Sequence, residues 1–383
     1  MECHRPGQVA PFSLIGYENA RKWSGAIVQM ASARQMPPWK AVHGFGEFAD
    51  ERRLTDEQIQ TLSDWDAAGA PRGDAAREPK PPTMRSGWTL GEPDLLLQPD
   101  RAYHLAAEGD DVYRNFILST DFKEPVWVTG LDVRPGNPKV VHHVIVFLDG
   151  MGAAQRLEEA QNDGEPGYTS FGGVGFLPTG ALGGWAPGLR ARLAPEGTGL
   201  LVKPGVKLVL QVHYHKSGKP EVDRTQIGLY LARKPPEKQI GLMWLMKPGL
   251  KIPAGEQAFE TEIDRRIGRD VTVYGAMPHM HLLGRMMQAE AGLPDGKRVP
   301  LIKVEDWDFR WQMAYGFRKP LRLPAGTHIR VSARYDNSAS NPRNPNHPPK
   351  DVAWGEQTTD EMFLMIVPYT LDGPGEPPSF RMP

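Results

Sequence analysis

The chain has 383 residues, too many for one ordinary hydrophobic core, and is expected to form two or three domains. Its 41 glycines and 37 prolines, with short and closely spaced aromatic and β-branched runs, favour an antiparallel β architecture with many turns. The net charge of -1 gives no electrostatic reason to expect a nucleic acid or an anionic membrane surface as partner. The sequence has neither a membrane-spanning apolar stretch nor a signal-peptide pattern, so the chain as given is expected to be soluble. Its single cysteine, Cys3, excludes an internal disulfide.

The first part of the chain has helical periodicity. Residues 17–35 and residues 55–69 both place apolar side chains at helical spacing. The second predicted helix carries its own boundary signals, with Thr55 as N-cap, Gln58 completing a capping box and Gly69 as C-terminal stop. The polar, Pro-rich segment that follows is expected to be a linker between this helical domain and the rest of the chain.

Beyond residue 86 the pattern changes to short strands separated by turn signals. We see no repeat of fixed period. The glycine-rich run FGGVGFLPTGALGGWAPG at residues 171–188 is not followed by the Lys-Ser/Thr of a phosphate-binding loop. It is therefore expected to shape a cavity. The predicted strands include PVWVTGLDV, VVHHVIVFL, VKLVLQVHYH, DVTVYGAMPHMH, HIRVSARYD and EMFLMIVPY.

Histidines carry the most specific chemical signal. His279 and His281 are two residues apart, so in a strand they project to one face and can chelate one metal. The adjacent His142 and His143 face opposite sides of a regular strand, so both can reach one metal only where the strand twists, bulges or ends. A lone histidine such as His213 is more often a satisfied, half-buried imidazole. Three such motifs in one β-rich chain favour metal binding instead.

The order of these motifs resembles that of the type II copper, ascorbate-dependent monooxygenases, the family of peptidylglycine α-hydroxylating monooxygenase and dopamine β-monooxygenase. The motifs are HH, then a VHY strand, then HxH followed by LxG, then DEM, over roughly residues 100–370. The resemblance implies two tandem antiparallel β-sandwich domains of jelly-roll type, each with one copper ion. The implied ligands are His142, His143 and His213 for the first copper, and His279, His281 and Met362 for the second.

The activity that the resemblance implies is hydroxylation of an activated C–H bond of a small organic substrate. Dioxygen and substrate would meet at the second copper, where His279, His281 and the soft thioether of Met362 favour Cu(I). The three-histidine copper would store and deliver the second electron, supplied by ascorbate or another reductant. A non-catalytic copper-binding or electron-transfer protein is the alternative, and it predicts no open cavity beside the methionine. A β-sandwich interaction module with structural histidines is a third interpretation.

The substrate positions differ from those of the peptide enzymes in this family. Those enzymes hold a peptide carboxylate with an Arg before HxH and an Asn and a Tyr after the methionine. Met277, Leu364 and Ile366 stand at these positions here, and such an apolar set cannot pair an anion. A small neutral or aromatic substrate is therefore expected instead of a glycine-extended peptide. Gln211 matches the family's pattern and is expected to line the path between the coppers.

The helical segment has a second resemblance, to c-type cytochromes fused in front of bacterial members of this copper family. Cys3 and His4 supply the last two letters of the haem motif CxxCH, and Met36 stands in an MPPW-like loop, so the implied axial ligands of a haem are His4 and Met36. The first cysteine of the motif would fall before Met1. We therefore expect that the motif was clipped together with an export signal, and a helical domain without haem is the alternative. The implied location is periplasmic or secreted.

These observations predict a mainly β chain with a small α-helical domain in front. The expected partners are a small-molecule substrate, dioxygen and an electron donor, with no nucleic acid and no membrane span. The predicted boundaries are 1–75 for the cytochrome c-like domain, 76–95 for the linker, 96–235 for the N-terminal β-sandwich and 236–383 for the C-terminal β-sandwich.

Overall fold

The computed structural model of the chain describes residues 4–5, 10–80, 87–171, 173–187, 189–375 and 377. The protein is mainly β, with 38% of its residues in strands and 11% in helices, which confirms the predicted class. The chain divides into two compact units, one made of residues 1–40 and 50–86 and the other of residues 41–49 and 87–383. Within the described ranges, every helix is too short or too polar to cross a membrane.

The smaller unit is helical. The helix predicted over residues 17–35 is divided at Trp23, whose φ of -113° leaves the helical range. At the start of the third helix, the Thr55 side chain accepts from the Gln58 amide at 3.2 Å and the Gln58 side chain accepts from the Thr55 amide at 2.9 Å, as the capping box predicts. The helices are α1 (Tyr17–Lys22), α2 (Ser24–Ser32) and α3 (Asp56–Ala67), followed by a 3-10 turn at Ala75–Arg77.

The larger unit contains the strands and one further helix. Its elements are β1 (Leu95–Leu97), β2 (Tyr103–Leu105), β3 (Val112–Leu118), β4 (Val126–Arg134), β5 (Val141–Asp149), α4 (Ala153–Gln161), β6 (Tyr168–Thr169), β7 (Gly180–Trp185), β8 (Thr198–Val202), β9 (Lys207–Tyr214), β10 (Glu221–Asp223), β11 (Gln226–Leu231), β12 (Lys238–Met246), β13 (Lys251–Ile252), β14 (Phe259–Arg266), β15 (Val271–His279), β16 (Gly284–Gly292), β17 (Arg298–Val304), β18 (Tyr315–Leu323), β19 (His328–Tyr335), β20 (Val352–Ala353) and β21 (Leu364–Leu371).

Two sheets form a sandwich in the first half of this unit. One is five-stranded, in the order β6-β3-β9-β5-β7, and the other is the β1-β11-β4-β8 part of an eight-stranded sheet. Both sheets contribute buried side chains to one core, for example Phe116 and Leu210 from the first and Val133 and Ile227 from the second. Strand β9 is buried along almost its whole length, so polar residues on it lie inside the protein.

The second half of the unit continues the same eight-stranded sheet, in the order β12-β21-β15-β18. A four-stranded sheet, β14-β19-β16-β17, packs against this half through contacts of β12 with β14 and of β15 with β17. Strand β12 joins the halves because Lys238 pairs in parallel with Thr198 of β8. Strands of both halves therefore share one hydrogen-bonded sheet.

Candidate metal centres and the cavity between them

His142, His143 and His213 form one cluster, hereafter the three-histidine cluster. The pairing of β5 with β9 shifts register between Val141 and His143, so a bulge at His142 turns both neighbouring imidazoles to one side, as metal binding requires. The Nδ1 atom of His143 lies 3.3 Å from that of His142 and 3.2 Å from that of His213. The cluster is compact enough to hold one metal ion.

The charge state of the cluster fits a cation. Burial is the main cause that lowers the pKa of His142 to about 4, and burial also holds the pKa of His143 and of His213 below the ordinary value. The imidazoles are therefore neutral near pH 7. Lone pairs on Nδ1 atoms at these distances repel one another unless a proton or a metal ion lies between them. An Nδ1–H tautomer of one neutral ring can supply such a proton, and a metal ion bound by all three rings also fits the arrangement.

Asp111 and Tyr113 hold the third imidazole of the cluster. Asp111 accepts hydrogen bonds from Nε2 of His213 at 2.9 Å and from Nδ1 of the exposed His215 at 2.8 Å. Tyr113 stacks on His213 with ring centroids 4.2 Å apart and an interplanar angle of 10°. A carboxylate that accepts from one ring nitrogen fixes the tautomer and leaves the other nitrogen to the metal. His215 thus supports the cluster through Asp111.

The same two side chains reach the segment before Met362. The Thr358 hydroxyl donates to Asp111 at 2.9 Å, and the Tyr113 hydroxyl donates to the backbone carbonyl of Glu356. Burial opposes ionisation of Asp111, but the hydrogen bonds and charge of His213, with the Thr358 hydroxyl, hold the pKa of this carboxyl well below its ordinary value. Asp111 is therefore a carboxylate at neutral pH, shared between the cluster and the Met362 segment.

His279, His281 and Met362 form the second group, hereafter the methionine site. His279 ends β15, and the ring centroids of His279 and His281 are 5.2 Å apart at 87°. Nδ1 of His279 lies 2.6 Å from Oε1 of Gln312, and Nδ1 of His281 lies 3.1 Å from the carbonyl of Asp360. These partners engage both Nδ1 atoms and leave both Nε2 atoms for a metal. Burial lowers the pKa of His279 to about 4 and that of His281 well below the ordinary value.

Glu361 ties the two segments of the methionine site together. Its carboxyl oxygens accept from the backbone amides of His281 at 2.8 Å, Leu283 at 2.6 Å and Met362 at 3.1 Å. The residue is fully buried, and burial raises the pKa of Glu361 to about 8 against the effect of these amides. The carboxyl group thereby fixes the turn after His279 and the backbone of Met362 relative to each other.

Phe309 lies between the two groups. Its ring stacks on His142 at 5.0 Å and 22°, and meets His281 edge-on at 5.5 Å and 71°. One half-buried aromatic side chain therefore contacts a histidine of each group. The two candidate centres are neighbours across this ring.

One cavity of about 790 Å³ is open to both groups. His143 of the three-histidine cluster lines it, as do all three residues of the methionine site. Every residue that the sequence assigned to the substrate pocket also lines it: Gln211, Met277, Leu364 and Ile366. Met277 and Ile366 face each other across β15 and β21, and Gln211 is buried, with its amide donating to Asn115 at 3.1 Å.

The glycine-rich run forms part of the cavity wall. It contains β7, which pairs with β5, and Phe176, Ala181 and Trp185 from it line the cavity. Gly184 must lack a side chain, because a Cβ atom there would lie 2.2 Å from the carbonyl oxygen of Val144. The glycine-rich run therefore lines the cavity, as expected, and part of it forms the edge strand β7.

The structure brings together residues that the sequence motifs did not single out. Asp111, Phe309, Gln312, Thr358 and Glu361 all contact candidate ligands or their partners. Glu361 was the only one inside a named motif, as the middle letter of DEM. A buried acid directly before a candidate methionine ligand was the available signal, since such a group needs partners to remain in the interior.

His4 and Met36, the haem ligands expected from the resemblance, lie in the helical unit. His4 packs against Phe12 with ring centroids 4.7 Å apart, and its Nδ1 lies 3.1 Å from the Phe12 carbonyl. This leaves Nε2 of His4 for a ligand, which fits an axial imidazole. Met36 is partly exposed and is followed by Pro37. Cys3 lies outside the described residues.

No protein-family model matches the chain, and no curated protein does. Among solved structures, the chain is similar to the major capsid protein P2 from Bacteriophage PM2, with 13% identity over 72% of this chain and 97% of that chain and a TM-score of 0.26. It is also similar to the infectious bursal disease virus Gx strain structure, with 9% identity over 74% and 78% of the two chains and a TM-score of 0.19. Neither similarity is strong enough to support a conclusion about fold or function.

Proposed function

We propose that the protein is a copper-dependent monooxygenase that hydroxylates a C–H bond of an organic substrate. The observation that carries the proposal is that two unlike donor sets face one cavity. His143 belongs to an all-imidazole set, whereas His279 and Met362 belong to a set with a thioether, and all three line that cavity. Two metal centres with donors of different softness would then lie beside one substrate-sized cavity. This arrangement fits a reaction in which dioxygen and substrate react at one centre and the other centre stores and delivers an electron.

The donor sets suit copper. Imidazole binds copper in both oxidation states, and a thioether favours Cu(I). Burial keeps the imidazoles of His142 and His279 neutral at pH 7, so a metal does not have to displace a second ring proton from them. Asp111, Gln312 and the Asp360 carbonyl hold the rings by their other nitrogens, which is how metal-binding imidazoles are commonly oriented.

Copper, when bound, would supply the one-electron redox chemistry that lets dioxygen react with an organic molecule. The overall reaction replaces C–H by C–OH with one atom of dioxygen, and the other atom leaves as water after uptake of two electrons and two protons. A one-electron reductant such as ascorbate would supply the electrons in two steps. The protein's own part is to orient the six ligands, to hold the substrate against the apolar wall of Met277, Leu364 and Ile366, and to keep bulk water away from it.

The cavity favours the catalytic interpretation over a non-catalytic copper carrier. A carrier needs no substrate-sized space beside the methionine, whereas here Met362 lines a cavity of about 790 Å³. Under the same proposal the larger unit consists of two jelly-roll-like copper domains. The helical unit, loaded with haem through His4 and Met36 in an exported form of the protein, would be an entry point for electrons.

Copper titration tests the proposal directly. We expect two copper ions per chain by metal analysis after dialysis, and two distinguishable Cu(II) signals by electron paramagnetic resonance. His213→Ala should remove one signal, and Met362→Ile should weaken the other site. The matched controls are His328→Ala, an exposed histidine paired with Asp264, and Met365→Ile, a buried methionine in the same strand region. A single copper in the wild type, or loss of both coppers from either variant, would contradict the two-centre assignment.

The haem assignment needs a separate experiment. A form with a cysteine added three residues before Cys3, exported and matured with haem, should give a low-spin spectrum with methionine ligation. Met36→Ala should remove the methionine signature and leave the haem attached. A folded product without haem would contradict the cytochrome assignment and leave the copper assignment unaffected.

A further inference from the structure

The cavity has the size of a drug-sized ligand and walls that are mainly apolar. Its volume of about 790 Å³ lies in the upper part of the range that encloses such molecules, roughly 300–1,000 Å³. Strands of both halves of the larger unit and the glycine-rich run supply the walls. The aromatic side chains on them include Phe147, Phe176, Trp185, Trp244, Tyr315 and Phe317.

The charged groups of the lining already have partners. Among the described residues that line the cavity, Arg192 and Glu356 are the only arginine, lysine, aspartate or glutamate side chains, and both interact within the protein. In the metal-free protein, a charged ligand would have to lose its hydration beside ionic side chains that are already engaged within the protein. The metal-free cavity therefore disfavours ions of either sign.

Three uncharged polar side chains of the lining are engaged as well. The Tyr274 hydroxyl lies 3.0 Å from the hydroxyl of Thr370, and the Gln211 amide donates to Asn115 at 3.1 Å. Gln312 bonds to His279 through its oxygen and to the carbonyl of Phe309 through its nitrogen. A ligand with many hydrogen-bonding groups would leave most of them unsatisfied, which costs roughly 1–3 kcal/mol for each buried group.

We propose that the cavity binds an uncharged, mainly hydrocarbon substrate of drug-like size, which narrows the small neutral or aromatic substrate expected from the sequence. The inference deepens the proposed function and rests on it, because it assigns the class of molecule whose C–H bond would lie beside Met362. Binding comes from burial of apolar area, about 25 cal/mol per Å² removed from water, and not from a polar clamp.

Two fluorescent probes with one scaffold test the substrate class. N-phenyl-1-naphthylamine is uncharged, and 8-anilinonaphthalene-1-sulfonate carries a sulfonate on the same ring system. With the full chain in its metal-free form, we expect saturable binding of one uncharged probe and at least about tenfold weaker binding of the anion, and the uncharged probe should also bind the copper-loaded chain. Equal or tighter binding of the anion, or no saturable binding of the uncharged probe, would overturn the proposal.

Two variants locate the probe in the cavity. Ala314 is an exposed residue on the lining, so Ala314→Trp fills space without entering a core and should weaken binding of the uncharged probe at least about tenfold. Ala160→Trp on the exposed face of α4 is the matched control and should not change it. Ile366→Lys, checked for folding by circular dichroism, should reverse the preference between the probes. Unchanged binding in both the Ala314 and Ile366 variants would show that the probe lies elsewhere and would refute the assignment.

The copper content of each preparation separates this inference from the proposed function. If two coppers bind and the uncharged probe does not, the substrate class is wrong and the copper assignment stands. If the probe binds as expected and copper does not, the cavity assignment stands as a ligand site and the monooxygenase proposal fails.

Discussion

Replacing Asp111 with asparagine tests how the three-histidine cluster is held. Asparagine keeps the shape of the side chain and one of its two oxygens. In the wild type the same oxygen, Oδ2, accepts from both His213 and Thr358, so an asparagine oxygen at that position can still accept both bonds. Its amide nitrogen would then face Nδ1 of His215, an exposed ring that can change tautomer and accept. The substitution therefore removes a negative charge and leaves few polar groups unsatisfied.

The expected effect is on metal affinity rather than on folding. Loss of a partner carboxylate from a ligating imidazole typically weakens metal binding by about 10–100-fold, which corresponds to about 1.4–2.7 kcal/mol. The methionine site has its own partners in Gln312 and Asp360, so its affinity should change little. The free energy of unfolding of the metal-free protein should fall by no more than about 1 kcal/mol, because the hydrogen bonds are retained.

Competition between the protein and a Cu(I) chelator measures the two affinities, and denaturant titration measures the stability. Asp110→Asn is the matched control, since the neighbouring aspartate is exposed and should leave both sites unchanged. Undiminished affinity of the three-histidine cluster in Asp111→Asn would refute the role given to the carboxylate. An equal loss at both sites would mean that Asp111 acts through the segment before Met362 and not through His213.

Glu361→Leu should destabilise the metal-free protein by at least about 2 kcal/mol, because the buried amides of His281 and Leu283 lose their acceptor at about 1–3 kcal/mol each and the part-buried amide of Met362 loses its acceptor as well. Glu305→Gln, an exposed control, should cost less than about 1 kcal/mol in the same urea titration. Phe309→Leu should remove about 0.5–1.5 kcal/mol of ring stacking for each of its two histidine contacts. It should also broaden the Cu(II) signals of both sites, and unchanged spectra would contradict the idea that the Phe309 ring orders a histidine in each of them. The metal-free protein should lose stability as the pH falls from 7 to 5: the pKa of His142 and of His279 is lowered from 6.5 to about 4 by folding, so the unfolded chain binds more protons in this window. Each such histidine lowers the free energy of unfolding by up to about 1.4 kcal/mol per pH unit as the pH falls. The raised pKa of Glu361 partly offsets this loss, because the folded protein binds a proton there that the unfolded chain does not. A free energy of unfolding that stays constant from pH 7 to 5 would count against neutral buried imidazoles.

Local patterns predicted the elements that depend on local physics. The capping box at Thr55 and Gln58 formed because both bonds join residues three apart in sequence. The HH pair also carried its own structural requirement, a twist, a bulge or a strand end, and the register shift after Val141 supplies such an irregularity. The eight-stranded sheet could not be predicted from the sequence. The two halves join through a parallel pairing of β12 with β8 over two residue pairs, which is too short to produce a recognisable pattern of apolar residues in either strand.

The supporting contacts of the candidate centres could not be read from the sequence because each depends on long-range folding. Asp111 is 102 residues before His213 and 247 before Thr358, and it stands among other acids whose natural interpretation is a solvated turn. Its importance arises only when β3 pairs with β9 and sets Tyr113 opposite His213, which brings the carboxylate to the imidazole edge. Candidate metal ligands are recognisable as motifs because a metal requires specific donor atoms, whereas the groups that orient them need only supply an acceptor or an aromatic face from anywhere in the chain. That difference explains why a sequence can indicate a centre and leave its supporting residues to the structure.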